Sequence, residues 1–218
     1  MKIGCVGAGF IGRAVAKLAT ERGHAVMLSN SRGARTLTST AISVKAAVGT
    51  VAEAVKYGDL VLLAIPFYAI PDLDPMIFDG KIVMDACNYY PGRDEPIAAL
   101  DDGSTTTSEI VQQHLRGAKV VKAWNAILER DIEKDAKPDG ELDRRALPIA
   151  GDDEVAKRLV TQFLGSVGYD VVDAGLLKEG WRFERARPAY CVPLTKSALS
   201  SALIEAEGPQ QNEGAWRG

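Results

Sequence analysis

Several residue types are scarce in this chain, and each scarcity removes a class of protein. Its three cysteines, Cys5, Cys87 and Cys191, are odd in number and form no CxxC pair, which argues against a disulfide framework and a zinc site and fits a reducing cytoplasm. Only two histidines occur, His24 and His114; neither lies near Cys87 in sequence, so no thiolate nucleophile is expected there and Cys87 reads as a small packing residue. Positive charge is not in excess: 26 Lys and Arg against 29 Asp and Glu give a formal charge of -3. That balance lacks the basic footprint of a nucleic-acid binder. No apolar run approaches bilayer-spanning length, and the first residues run straight into a glycine motif, so neither export nor membrane anchoring is expected. What remains is an ordinary globular composition, 46% hydrophobic and 25% charged over 218 residues, long enough for one domain or a domain with a small appendage.

Short runs rich in Val, Ile and Leu alternate with amphipathic stretches, the pattern of parallel strands covered by crossover helices. Strands are expected at 2–6, 25–29, 43–48, 60–65, 82–86, 119–123, 146–150 and 169–172, and helices at 10–22, 51–57, 108–115, 152–165 and 193–207. The fold class is therefore α/β, a Rossmann-type doubly wound parallel sheet with a smaller C-terminal helical portion. Gly23, Gly58, Gly117 and Gly168 stand where helices should stop in a left-handed cap, and Asp152 or Asp153 should cap the next helix start. The polar stretch 89–107 reads as a long loop. A second polar stretch, 129–145, places a boundary between a main domain over 1–145 and a smaller portion over 146–218, unless the two form one unit. Residues 208–218 read as a frayed tail.

Gly7-Ala8-Gly9-Phe10-Ile11-Gly12 is a GxGxxG sequence lying between an expected strand and an expected helix, with a second strand after the helix stop. In that context Gly7 permits the tight turn, Gly9 admits a pyrophosphate close to the backbone, and Gly12 lets helix and strand pack. Helix-terminal N–H groups, including those of Phe10 and Ile11, then face the phosphates. An NAD-selective site usually ends its second strand in Asp or Glu. Here the strand runs into Ser29-Asn30-Ser31-Arg32-Gly33-Ala34-Arg35, with no acid and two guanidinium groups; Asn30 and Ser31 read as neutral donors beside Arg35 and Arg32, the latter either stacking on adenine or pairing with phosphate, and NADP(H) is favoured over NAD(H).

In such sheets ligands lie across the carboxyl ends of the strands. Ala64, Ile65, Pro66 and Phe67 after the fourth strand, Ala86 and Asn88 after the fifth, and Trp124 and Asn125 after the sixth are the candidates for the nicotinamide half, the last two as ring-positioning residues. Asp85 reads first as a carboxylate satisfied by nearby backbone and second as a catalytic group; His24 and His114 read as surface or packing residues. With no plausible acid–base pair, hydride transfer between two bound rings is the chemistry most compatible with the chain.

Along most of its length the chain resembles the NADPH-dependent oxidoreductases related to the archaeal F420-dependent NADP reductase. The resemblance is carried in order by Gly7 to Gly12, Asn30-Ser31-Arg32, Leu63-Ala64-Ile65-Pro66, Ser108-Glu109-Ile110-Val111, Val121-Lys122-Ala123-Trp124-Asn125, Ala150-Gly151-Asp152-Asp153 and Asp173-Ala174-Gly175. It implies an NADP(H)-binding Rossmann domain exchanging hydride with a flavin-like or deazaflavin (coenzyme F420) acceptor, and a homodimer formed through the C-terminal helix, Leu194 to Ala206. The chain departs from the family in two places. Asn125 stands where the archaeal enzymes tend to have histidine, and 175–194 is longer and more basic, with Arg182, Arg185 and Arg187 offering either an anion site or a solvated, dimer-contact strand. Two other functions stay open: an NADPH-dependent reductase of a small carbonyl or imine, with Tyr68, Tyr89 or Tyr90 as proton donor, and a non-catalytic NADP(H) redox sensor.

Overall fold

Parallel strands buried on both faces need continuous apolar runs, and β1 (Lys2–Val6), β2 (Ala25–Ser29), β4 (Leu60–Leu63), β5 (Ile82–Asp85) and β6 (Lys119–Lys122) supply them. A computed structural model describes residues 1–207; the tail expected at 208–218 lies outside the described residues. With β3 (Ala47–Val48), β7 (Ala146–Gly151) and β8 (Asp170–Asp173), these strands form one eight-stranded sheet of order β3-β2-β1-β4-β5-β6-β7-β8. All neighbours are parallel except β6 and β7.

Register is what positions the site. Ser29 pairs with Val6, Val6 with Leu63, Leu63 with Asp85, and Asp85 with Lys122. The carboxyl ends of five strands thus form a level row, and the residues that follow each strand emerge side by side. Strand β1 sits between β2 and β4, so the chain reverses its winding there, the switch point at which open α/β sheets bind ligands. Running the opposite way with Ala150 opposite Lys122, β7 begins beyond the edge of this row, which carries the C-terminal part of the chain over the carboxyl ends.

The helices follow from apolar spacing and caps. Gly12, Val15, Ala16 and Ala19 line the buried stripe of the helix Phe10–Glu21, the three-and-four spacing of an amphipathic helix. Thr50 with Glu53 and Thr106 with Glu109 form capping boxes for Val51–Tyr57 and Thr107–His114. Asp153 caps Glu154–Val167 through the Ala156 N–H at 2.8 Å, and Gly168 closes that helix at φ 115°.

Three local expectations need correction. Residues 43–46 are not strand: Leu37, Ala41 and Val44 are buried at helical spacing, and a helix covers Thr38–Ser43. Gly58 has φ -74° and Gly117 is not left-handed; both are glycine because a Cβ would strike Gly4 backbone nitrogen at 2.6 Å or the Asp79 carboxylate at 2.2 Å. The stretch 89–107 holds two helical turns, Pro91–Asp94 and Ala98–Asp101, the first opening on a proline that fits a first helical position.

Candidate functional site

The glycine loop divides its work by steric demand. Gly7 has φ 105°, and a Cβ there would meet the Ala64 carbonyl oxygen at 2.2 Å; a Cβ on Gly12 would meet the Gly7 carbonyl oxygen at 2.0 Å. Gly9 has nothing within 4 Å of its Cβ position, so the space before it is open. It is also the N-cap of Phe10–Glu21, with no side-chain cap and no acid in the first turn. The first N–H groups of that helix are left for an anion, which the helix dipole favours. Phe10 and Ile11 continue from this turn into the wall of the neighbouring cleft.

At the end of β2 the Ser29 hydroxyl is turned inward, donating to the Cys5 carbonyl at 2.7 Å. The chain then turns on Asn30, whose Oδ1 accepts the Arg32 N–H at 3.1 Å and whose Nδ2 donates to Thr36 Oγ1 at 2.9 Å. This loop opens the short helix Ala34–Leu37. Ser31, Arg32 and Arg35 are exposed, and neither guanidinium has an ion-pair partner among the described residues. Two cations with no ion-pair partner among the described residues therefore follow the end of β2, where an NAD-selective site would carry an acid.

The nicotinamide-side candidates come together. A cleft of 390 Å³ is walled by Ala64, Ile65 and Pro66 from β4, Ala86, Cys87 and Asn88 from β5, Trp124 and Asn125 from β6, and Tyr90, Tyr190 and Cys191. Asn88 and Asn125 are tied: Asn88 Nδ2 donates to the Asn125 carbonyl at 3.0 Å, and Asn125 Nδ2 donates to Asn88 Oδ1 at 3.2 Å and the Phe183 carbonyl at 3.0 Å. Those two acceptors fix which way the Asn125 amide points. Its Oδ1 is buried without a partner, as is Trp124 Nε1, and a buried polar atom left unpaired costs about 1–3 kcal/mol. The Trp124 ring is braced edge-on by Phe163 and Tyr169, and its φ of 66° is unusual for a bulky residue. Cys191, across the cleft, has φ 56°. Such outliers gather at functional sites because the surroundings must hold them.

Phe67 departs from expectation. It is buried against Tyr89 in the core and turns toward a different cavity of 770 Å³, lined also by Tyr68, Ile70, Ile97 and His114. That cavity is the larger, yet it lies away from the glycine loop and from the β1–β4 switch point; the smaller cleft is the one the strand ends build.

The other singled-out residues are occupied structurally. Asp85 accepts the Cys87 N–H at 2.9 Å and the Ser108 hydroxyl at 2.6 Å. The Cys87 thiol is pushed up by burial first and by Asp85 second, and points at the Ile65 carbonyl 3.3 Å away. His24 contacts Ser166, and His114 the Leu73 carbonyl. Arg182 pairs with Glu179 and lies over Trp181, as does Arg187, while Arg185 lies over Tyr90. Sequence reading missed Tyr190, Cys191, Arg93 and the buried Lys122. Nothing local marks the first two, which lie far along the chain. Lys122 was legible in principle as a charge inside an apolar strand: it is fully buried and paired with Glu184 at 2.9 Å.

Comparisons with known proteins bear on the fold and the family. Residues 2–89 match the family described as NADP oxidoreductase, coenzyme F420-dependent, a span holding the glycine loop, both arginines and the β4 and β5 ends. A solved structure from Sinorhizobium meliloti, the hypothetical protein SMa0349, is 31% identical with a TM-score of 0.77, covering 90% of this chain and 95% of its own. A protein from Arthrobacter sp. FB24, provisionally described as an F420-dependent NADP reductase, is 23% identical with a TM-score of 0.67, covering 80% of this chain and 84% of its own; that likeness concerns the fold. Escherichia coli K12 YjhV is 30% identical over 60 residues, 28% of this chain and 44% of that protein, so the match spans less than half of that relative.

Proposed function

The chain belongs to the NADP oxidoreductase family, and from that premise we propose that it binds NADP(H) along the carboxyl row of its sheet and exchanges hydride with a flavin-like or deazaflavin (F420-type) acceptor held in the 390 Å³ cleft. The observation that carries this reading is the pair of exposed, unpaired arginines, Arg32 and Arg35, where an acid would reject a 2′-phosphate. The chain's own residues fit the cofactor at each end. Gly9 leaves room for the pyrophosphate against uncapped helix N–H groups, and the orphaned Asn125 Oδ1 and Trp124 Nε1 offer an acceptor and a donor suited to a carboxamide. When bound, the nicotinamide supplies the two-electron chemistry. Ala64, Pro66 and Ala86 keep the wall low and apolar so that two flat rings can lie close, and alignment then contributes most of the rate.

The carbonyl or imine reading keeps the same cofactor and draws support from a phenol, Tyr90, in the cleft wall. Pairing of two copies through 194–206 remains part of the proposal; Ile204 is 81% exposed there, although Leu199, Ala202 and Leu203 already pack inward. Cys5, Cys87 and Cys191 are buried and in no disulfide among the described residues, which suits a reducing compartment, and no helix among the described residues is long and apolar enough to cross a membrane. The test is NADPH oxidation followed spectroscopically with coenzyme F420, FMN, riboflavin and ferric chelates in parallel. Turnover with F420 or a flavin is expected; tight NADPH binding with turnover of none of them would favour a sensor.

A further inference from the structure

Two phenols a hundred residues apart in sequence meet in the cleft wall: the hydroxyls of Tyr90 and Tyr190 lie 2.9 Å apart. The other tyrosines considered as proton donors are elsewhere. Tyr89 spends its hydroxyl on Asp101 at 3.0 Å and the Ile97 N–H at 2.8 Å, and Tyr68 faces the larger cavity. Tyr90 is held with unusual care. Asp94 is buried, and its carboxylate accepts the Tyr90 N–H at 2.8 Å and the Tyr68 N–H at 3.2 Å while chelating the Arg93 guanidinium at 2.8 and 2.9 Å. Arg93 in turn lies 4.6 Å from the centre of the Tyr90 ring, and Arg185 lies 5.1 Å from it.

We propose that Tyr90 is the proton donor to the hydride acceptor and that Tyr190 positions it, so that the acceptor is one whose reduction adds a proton to a ring nitrogen or an oxygen. This rests on the hydride-transfer reading above. Reduction of such an acceptor takes up one hydride from NADPH, which leaves as NADP⁺, and one proton. The Tyr90 O–H bond breaks, its proton joins the acceptor heteroatom, and solvent returns a proton to the phenolate. A phenolate formed there finds the Tyr190 hydroxyl as donor and two guanidinium groups already in place, an arrangement set before charge develops. Burial, and next the neighbouring Tyr90, hold the Tyr190 phenol above its ordinary range. Either oxygen of the pair can donate across the 2.9 Å contact, so Tyr190 can turn its hydroxyl proton toward Tyr90 once Tyr90 has delivered its own.

Tyr90→Phe and Tyr190→Phe keep both rings and remove one oxygen each. With whichever of F420 or FMN the parent protein reduces, Tyr90→Phe is expected to lower kcat about 100-fold, the ordinary worth of a positioned acid. It should abolish the solvent deuterium effect on kcat while NADPH affinity, measured by titration, stays within about twofold. Tyr190→Phe should lower kcat less and shrink the same solvent effect. A readout without turnover is the visible band of the oxidised acceptor bound beside NADP⁺: a hydrogen bond from Tyr90 should shift it in the parent protein and not in Tyr90→Phe. Parent turnover with kcat within twofold and an unchanged solvent effect in Tyr90→Phe overturns the donor role and leaves hydride transfer standing. If the parent binds NADPH but reduces none of the acceptors, the hydride-transfer reading itself falls and the donor role with it.

Discussion

At the ends of β1 and β2, polar groups stand open: Arg32 and Arg35 are exposed with no ion-pair partner among the described residues, and Gly9 faces open space. Around β6 most polar groups are spoken for, Asn125 Oδ1 and Trp124 Nε1 being the exceptions among the described residues. Lys122 is buried against Thr107, Ser108 and Glu184, its stem lies under Gly180, and Asn125 ties β6 to Asn88 and to the Phe183 carbonyl. The two ends of one site therefore divide their tasks. In the proposed function the side chains of the open end, Arg32 and Arg35, hold binding capacity with little role in the fold, whereas the covered end is a structural joint that also walls the cleft. Substitutions should separate accordingly, stability failing at one end and affinity at the other.

The largest effect on stability is expected from Lys122→Met, which leaves Glu184 and Thr107 without their buried partner. Breaking one side of such a pair costs about 3–5 kcal/mol, measured as a fall in unfolding free energy in urea, and adding Glu184→Gln should restore part of it. The pair also carries a pH signature. Burial pushes the Glu184 carboxyl up, but the Lys122 charge and hydrogen bonds from Thr107 and Lys122 outweigh it, so it lies below its ordinary 4.5. A group whose folded pKa is depressed stabilises fully above the unfolded value and loses that contribution as pH falls through the folded one. Stability should therefore decline as the pH drops below 4.5, and Glu184→Gln should remove that component.

Gly12→Ala comes next. Its new Cβ would lie 2.0 Å from a backbone oxygen, which cannot swing aside, so a loss of roughly 1–3 kcal/mol is expected together with weakened NADPH binding. Gly9→Ala is the contrast within the same motif. With nothing within 4 Å of that Cβ position, stability should fall by only about 0.5–1 kcal/mol, the difference between Gly and Ala as an N-cap, while NADPH affinity falls. Equal loss of stability from the two substitutions would erase the distinction between a glycine that packs and a glycine that leaves room.

The same contrast explains what could be read from sequence. The open end is local: Gly7 to Gly12 and Asn30 to Arg35 are contiguous, and strand, turn and helix signals around them agree, so both the fold and this half of the site were legible. The covered end is assembled at long range. Ala64, Pro66, Asn88 and Asn125 could be placed because register aligns strand ends in one row. Tyr190 and Cys191 could not, because only the antiparallel β7 carries their segment back over that row. Phe67 was misjudged because a strand-end aromatic can turn to either face of the sheet, and here the core of Tyr89 and Ile70 claims it. Within the expected strand 43–48 only Ala47 and Val48 are strand, and 43–46 failed because an apolar run cannot by itself tell period 2 from period 3.6.

The central claim is electrostatic, and calorimetric titration of the parent protein and Arg32→Ala with NADPH and NADH tests it most directly. The account predicts that the parent prefers NADPH, and that Arg32→Ala weakens NADPH about tenfold or more, the worth of one charge-assisted hydrogen bond, while scarcely changing NADH. NADH binding the parent as tightly as NADPH, or both weakening equally in the variant, would contradict it.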